Sequence, residues 1–320
     1  MNGSSIDESR WPEESLREHA EALRWAMPRA FGGDELEPLD LHLRYEQLAR
    51  KSLALALIFT QRDSAVGIIA AGGNDRLLAE VRDGAFVTVG IAQLTTSHQG
   101  GAPALSWRDG RVNGVIPWAT GAANAKYVVA GAAADDAGGQ VLFAIPTDAP
   151  GVTIEPPLPL VALRETWTSR VRCENVAVER DLVLLGPAPN VLSLRRKSVP
   201  IPQAFLALGH ARGAPDLIAE HDSDRARNLV RKLGKQIDAL HARVVAACAP
   251  GSDPSLIPLL RGECNELALR VTHAAVALYK GNALLLSHPA QRLAREAMFL
   301  LVWSCPDPVI DCTVDLLADG

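Results

Sequence analysis

The strongest constraint in this chain is a change of period. From Glu13 to about Arg82 apolar residues recur at helical spacing. From Phe86 the texture turns to short runs of Val, Ile, Thr and aromatic residues, each broken by Gly, Asp, Asn or Pro, and from Pro200 the helical period returns. A stretch patterned for a helix cannot lie down as a half-buried strand without turning much of its apolar surface to water, and the reverse holds equally. The expected fold is therefore α+β and mainly α: an N-terminal helical domain at 1–85, a central antiparallel β domain at 86–187 and a C-terminal four-helix bundle at 188–320.

Local signals refine this order. Ser15 ahead of Glu18 has the spacing of a capping box, the run Leu41 to Phe59 is helical through Tyr45, Leu48, Leu53, Ala56 and Leu57, and RAFGGDELEPLD is a loop between helices. A second helical hairpin is expected to end at Gly72 and Gly73. WRDGRV carries the Asp-Gly signal of a tight hairpin, and GPAPN at 186–190 reads as a linker. Four amphipathic stretches follow, with Pro306 and Pro308 stopping the last long helix.

Composition excludes several classes. With 48% hydrophobic residues over 320 positions the chain can bury a large core. Its 32 basic and 37 acidic residues leave a net charge of −5, with no block of like charge to track a phosphate backbone, so nucleic acid is not an expected partner. MNGSSIDESRW lacks the basic start and apolar core of a secretory signal, and no uninterrupted apolar span reaches about 20 residues. The expectation is a cytoplasmic protein without a membrane partner. The five cysteines are an odd number, widely spread and without a C-x-x-C pair, so reduced, buried thiols are expected and no metal site.

The β segment carries the chemistry. GIAQLTTS at 90–97, VNGVIPWATGAANAKYVVAGA at 112–132, and the stretch PTDAPGVTIEPPLPLVALRETWTSRVRCENVAVERDLVLLG resemble the acyl-CoA dehydrogenase family, with Asn113, Gly114, Trp118 and Thr120 at the family's spacing. The match covers the β domain well, the N-terminal helices in part and the C-terminal bundle weakly. The resemblance implies FAD as cofactor, an acyl thioester or related small molecule as substrate, and a homodimer or homotetramer, because the family completes its cofactor sites across subunits. It also implies that Leu94 and Thr95 offer backbone donors to the flavin's pyrimidine edge. A flavin ring is flat and largely apolar with a polar rim, so its site needs a broad wall and an edge hydroxyl. Trp118 supplies the first and Thr120, two residues on and so expected on the same strand face, the second.

Three departures set this chain apart from the family's pattern. Aligning PAQRLAREAMFLLVWSCPDP with the family's Pro-x-x-Arg-x-x-Arg-Asp segment puts Trp303, Ser304, Cys305 and Pro306 where the catalytic glutamate belongs, and KSVPIPQAFLALGHA, the alternative location, holds no acid. The family's Arg-x-x-Phe-Gly and Gly-Gly cofactor grips are missing from DRARNLVRKLGKQ and ALYKGNA, which leaves Arg225, Arg231 and Lys280 as the nearby cations. The stretch before Thr95 is also short, so the resemblance is to an N-terminally shortened, divergent member. The catalytic base is unassigned; His98 and Ser304 are the remaining candidates, while His210, His273 and His288 read as packing or capping residues, and Cys305 has no neighbouring histidine to activate it. Three readings follow: an acyl-CoA dehydrogenase-like oxidoreductase acting on a CH–CH group, a flavin-dependent monooxygenase of the same fold, or a degenerate homologue without catalysis.

Overall fold

The computed structural model describes residues 8–96, 104–134, 138–195 and 198–319. The N-terminal segment forms α1 (Glu13–Glu18), α2 (Ala22–Trp25), α3 (Pro38–Lys51), α4 (Leu53–Ala71) and α5 (Asp75–Arg82). The run from Leu41 to Phe59 is two helices rather than one. Ser52 is extended at φ −155°, closes α3 and caps α4 by accepting a hydrogen bond from the Leu55 N–H at 3.2 Å. No side chain caps α1, so the Ser15–Glu18 spacing does not form a capping box. Gly72 ends α4, and Asn74 caps α5 through Leu77 N–H.

The central segment holds β1 (Val87–Gly90), the short α6 (Gln93–Thr96), β2 (Leu105–Arg108), β3 (Arg111–Ala119), β4 (Tyr127–Ala134), β5 (Gly139–Pro146), β6 (Val152–Ile154), β7 (Ser169–Ala177) and β8 (Val183–Ala188). β2 and β3 form the hairpin that Asp-Gly announces, with Asp109 and Gly110 both at positive φ between paired Arg108 and Arg111. The sheet is mixed, not antiparallel throughout: β1 and β2 follow one another along the same edge of β4 and both run parallel to it. The other pairs, β3–β7, β6–β7, β4–β5 and β5–β8, are antiparallel. The segment expected to be a linker is also sheet, because β8 continues through Gly186 and Pro187 to Ala188.

Among the described residues five α-helices follow: α7 (Pro202–Ala219), α8 (Asp224–Ala247), α9 (Ile257–Tyr279), α10 (Pro289–Phe299) and α11 (Asp307–Asp319). The fifth starts at the prolines that end the reading of the last long helix. Pro308 lies in the first turn of α11, where its missing N–H costs nothing. His288 caps α10 as expected by accepting from Ala290 N–H, whereas His273 is exposed and not packed.

Two cores result. One joins α3 and the first half of α4 to the C-terminal helices through Tyr45, Leu53, Phe59, Phe205 and Leu267; the other joins the second half of α4 and α5 to the sheet through Ile68, Leu77, Val89, Ile116 and Phe143. α4 is long and apolar enough to cross a membrane by length and composition, yet it is mostly buried between these cores and carries the buried Arg62–Asp63 ion pair at 2.6 Å. Burial raises the Asp63 carboxyl, opposed by Arg62 and by the hydrogen bond from Tyr45. All five cysteines are free, with Cys173 and Cys264 buried and Cys248, Cys305 and Cys312 half-buried. No metal-ligand cluster occurs among the described residues.

Candidate functional site

Two of the motif-bearing segments are brought together by a glycine. A Cβ on Gly90 would lie 2.4 Å from Ile116 Cγ2 and 3.6 Å from the Trp118 carbonyl oxygen, so the missing side chain lets the end of β1 rest against β3. α6 follows directly. Its Gln93 is buried and donates to the carbonyl oxygens of Gly90 at 2.9 Å and Gly131 at 2.8 Å, tying the short helix to both β1 and β4. The Leu94 side chain fills the space above Gly131, where a Cβ would come within 2.3 Å of Leu94 Cδ1. The Leu94 N–H donates to Ile91 at 3.0 Å, so within this turn it is already engaged. Thr95 stands in α6, and His98 lies outside the described residues.

Trp118 and Thr120 sit side by side but do not share a face. The Trp118 side chain is 51% exposed and Thr120 is buried. The pairing of β3 with β7 shifts register between Ile116 and Ala119, and β3 ends at Ala119, so the two-residue alternation does not carry through to Thr120. Thr120 instead begins a line of hydroxyls: Thr120 Oγ1 is 3.3 Å from Thr168 Oγ1, which is 2.9 Å from Thr166 Oγ1. Thr166 donates to the Leu163 carbonyl at 2.7 Å. With that proton committed, Thr168 donates to Thr166 and accepts from Thr120, which leaves the Thr120 oxygen as the acceptor at the head of the line. Residues 9–11 lie over the following turn. Trp167 Nε1 donates to the Ser9 carbonyl at 3.0 Å, and Trp11 packs on Trp167, on Phe86 and above Gly121, whose φ of 64° and lack of a side chain the contact needs.

The turn after α10 is where the sequence resemblance places the catalytic base. Trp303 stacks on Phe299 at 5.4 Å, and Ser304 is exposed with φ 49°. No carboxylate stands between Leu300 and Pro306; Asp307 opens α11. Acid is present nearby in α10, but it faces inward. Glu296 is buried, and burial pushes its carboxyl up to about 7, against the pull of Arg292 and with a further push from Glu165 and Glu8. Its Oε2 is 3.6 Å from Nδ1 of buried His210, whose Nε2 meets the Leu293 carbonyl at 2.8 Å and whose pKa burial lowers to about 4. Arg295 beside it holds Glu8 through two contacts at 2.8 and 3.1 Å and binds the Val161 carbonyl, joining α10 to the N-terminal segment and to the loop before β7. The sequence marked His210 only as a packing residue, and its pairing with Glu296 was hidden because Glu8, Glu165 and His210 lie far from α10 in the chain, while Gln93 and Thr168 lay inside quoted motifs without being singled out.

A separate, open groove runs along the outer face of α8 between Arg225, Asn228, Leu229 and Lys232. α8 packs chiefly on α7 and α9, so this groove belongs to the helical bundle and not to the Trp118 site.

Comparison with known proteins agrees with this architecture. A Mycobacterium smegmatis glutaryl-CoA dehydrogenase solved in complex with FADH2 superposes with a TM-score of 0.76 at 17% identity, covering 99% of this chain and 89% of that one. The fold is that of the acyl-CoA dehydrogenases. The same fold is shared with a nitrososynthase from Micromonospora carbonacea var. africana, at TM-score 0.74 and 22% identity, covering 97% of this chain and 89% of that one. In sequence, this acyl-CoA dehydrogenase-fold chain is 26% identical over 252 residues to a Bacillus subtilis (strain 168) protein named as a candidate acyl-CoA dehydrogenase. That match takes in 74% of this chain and 66% of the relative, just short of two thirds of its length. No family model matches the chain.

Proposed function

We propose that this chain is an FAD-dependent oxidoreductase that acts on the CH–CH group of an acyl thioester or a related small molecule. The observation that carries the reading is Trp118, a large flat apolar side chain held half-exposed at the end of β3 next to a buried hydroxyl line. Trp118 would wall the ring, the Thr120 oxygen would meet a polar group at its edge, and the backbone of Leu94 and Thr95 would line the pyrimidine side. Bound FAD would supply a two-electron acceptor there. The relative's name and the glutaryl-CoA dehydrogenase of the same fold support a thioester substrate, and a cytoplasmic enzyme working on CoA esters is the reading that goes with it. Exposed Leu284, Leu285, Leu286, Val302, Ile310, Val314 and Leu317 give the helical segment apolar surface suited to a homodimer or homotetramer.

A second reading, a flavin-dependent monooxygenase, is favoured by one observation: the turn at 300–306 carries no carboxylate. Activation of dioxygen by a reduced flavin needs no base for a carbon-bound proton. The test common to both is the absorption spectrum of the purified protein. Flavin bands are expected, and Trp118→Ala should lower the bound flavin several-fold. A colourless protein that takes up no FAD on incubation would overturn both readings and leave a non-catalytic homologue.

A further inference from the structure

The turn that closes α10 covers a buried cation with no anion beside it. Arg261, in the first turns of α9, is 2% exposed. Its Nη2 donates to the carbonyl oxygens of Leu300 at 3.1 Å and Trp303 at 3.4 Å, while Nε and Nη1 have no hydrogen-bond partner among the described residues. The groups acting on its charge are the thiols of Cys305 and Cys264, with no carboxylate among them. An arginine kept only to close the carbonyls at the end of α10 would account for one of its three nitrogens. Burying the other two unpaired is costly unless something anionic comes to meet them.

Cys305 is the side chain that shares this pocket with the guanidinium. Its Sγ donates to the same two carbonyls, Leu300 at 3.3 Å and Trp303 at 3.5 Å, and is within hydrogen-bonding reach of the Arg261 guanidinium. Asn265, one turn beyond Arg261 on α9 and fully buried, directs Nδ2 at the same sulfur from 3.9 Å. Cys305 is half-buried, so one side of the sulfur faces two buried donor side chains while the residue keeps some access to solvent. Among the other cysteines, Cys173 and Cys264 are enclosed, and burial pushes their thiols up to about 11 and about 12.

We propose that Cys305 is an oxidation site, at which a hydroperoxide transfers one oxygen to the sulfur and Arg261 and Asn265 hold the product. The thiol gives up its proton, the thiolate attacks the terminal peroxide oxygen, an S–O bond forms as the O–O bond breaks, and the departing hydroxide or alkoxide takes up that proton and leaves as water or alcohol. Sulfur is oxidised by two electrons to the sulfenic acid and the peroxide is reduced by two. The new oxygen gives the guanidinium and the Asn265 amide an acceptor that the thiol lacks. This site is independent of the flavin reading, since any small hydroperoxide serves.

The test exposes the full-length protein to hydrogen peroxide below one equivalent per thiol, traps sulfenic acid with dimedone and reads each cysteine by peptide mass spectrometry. Cys305 should be labelled at least about tenfold faster than the other half-buried thiols, Cys248 and Cys312. Arg261→Gln should bring it to their level, and Arg261→Lys, which keeps the charge, should retain part of the excess. Equal labelling of the three thiols in the unaltered protein overturns the proposal whether or not the variants fold. An undiminished excess in folded Arg261→Gln overturns it as well.

Discussion

Glu296 and His210 face each other in the interior with opposite shifts, and they contribute opposed parts to how stability responds to pH. Glu296 rises from 4.5 to about 7, so between those values the native state holds a proton that the unfolded chain has lost, and stability falls as pH rises. His210 drops from 6.5 to about 4, so between those values the unfolded chain holds the extra proton, and stability rises with pH. From pH 4.5 to 6.5 the two slopes, each about 1.4 kcal/mol per pH unit, oppose and cancel. Glu296→Gln removes the first, so urea unfolding of that variant should show stability climbing more steeply across this window than the parent's, and the variant should be the more stable protein above pH 7. A second residue-scale prediction concerns Ser304. Without a carboxylate in the turn at 300–306, reduction of bound flavin by simple saturated acyl-CoA esters should run about a hundredfold to ten-thousandfold below that of an enzyme with a placed base. Ser304→Glu should raise it in stopped-flow measurements. Fast reduction in the unaltered protein would reveal another base.

At the scale of elements, one substitution should have opposite effects at two glycines. A Cβ on Gly209 of α7 would lie 2.2 Å from the Glu46 carbonyl oxygen of α3, so Gly209→Ala should force the helices apart and lower stability by about 1–3 kcal/mol or more. Gly234, inside α8, has nothing within 4 Å of the same position, and Gly234→Ala should add about 0.5–1 kcal/mol through helix propensity; chemical denaturation checks both. These contacts also show where the sequence stops being readable. The Asp109–Gly110 hairpin was legible because its cause, two residues at positive φ, is local. The parallel pairing of β1 and β2 with β4 was not, since it joins strands across intervening chain and leaves no mark on the period. Ser52 ends a helix inside an apolar run whose spacing hides the break. At the candidate site, the spacing of Trp118 and Thr120 suggested one strand face, but a register shift in a strand pair leaves one exposed and the other buried. The guanidinium behind Cys305 comes from another helix and could not be seen beside it in sequence.

Across the whole molecule, α4 is the element that the two cores share. Leu53, Leu55, Leu57 and Phe59 belong to the core of the helical layers, and Ala65, Val66, Ile68 and Ile69 to the core beneath the sheet. A Cβ on Gly72, at the end of this helix, would lie 2.7 Å from the Leu184 carbonyl, so its last turn also abuts β8. Melting either core would strip one half of α4 of its neighbours while the backbone hydrogen bonds of the other half still held it helical. Partial unfolding would therefore expose apolar surface without releasing the full conformational entropy of the helix. Sheet and helices should consequently denature as one cooperative unit, with a single calorimetric peak whose van't Hoff and calorimetric enthalpies agree within about 10%. Two resolved peaks would show that α4 can be divided between independent folding units.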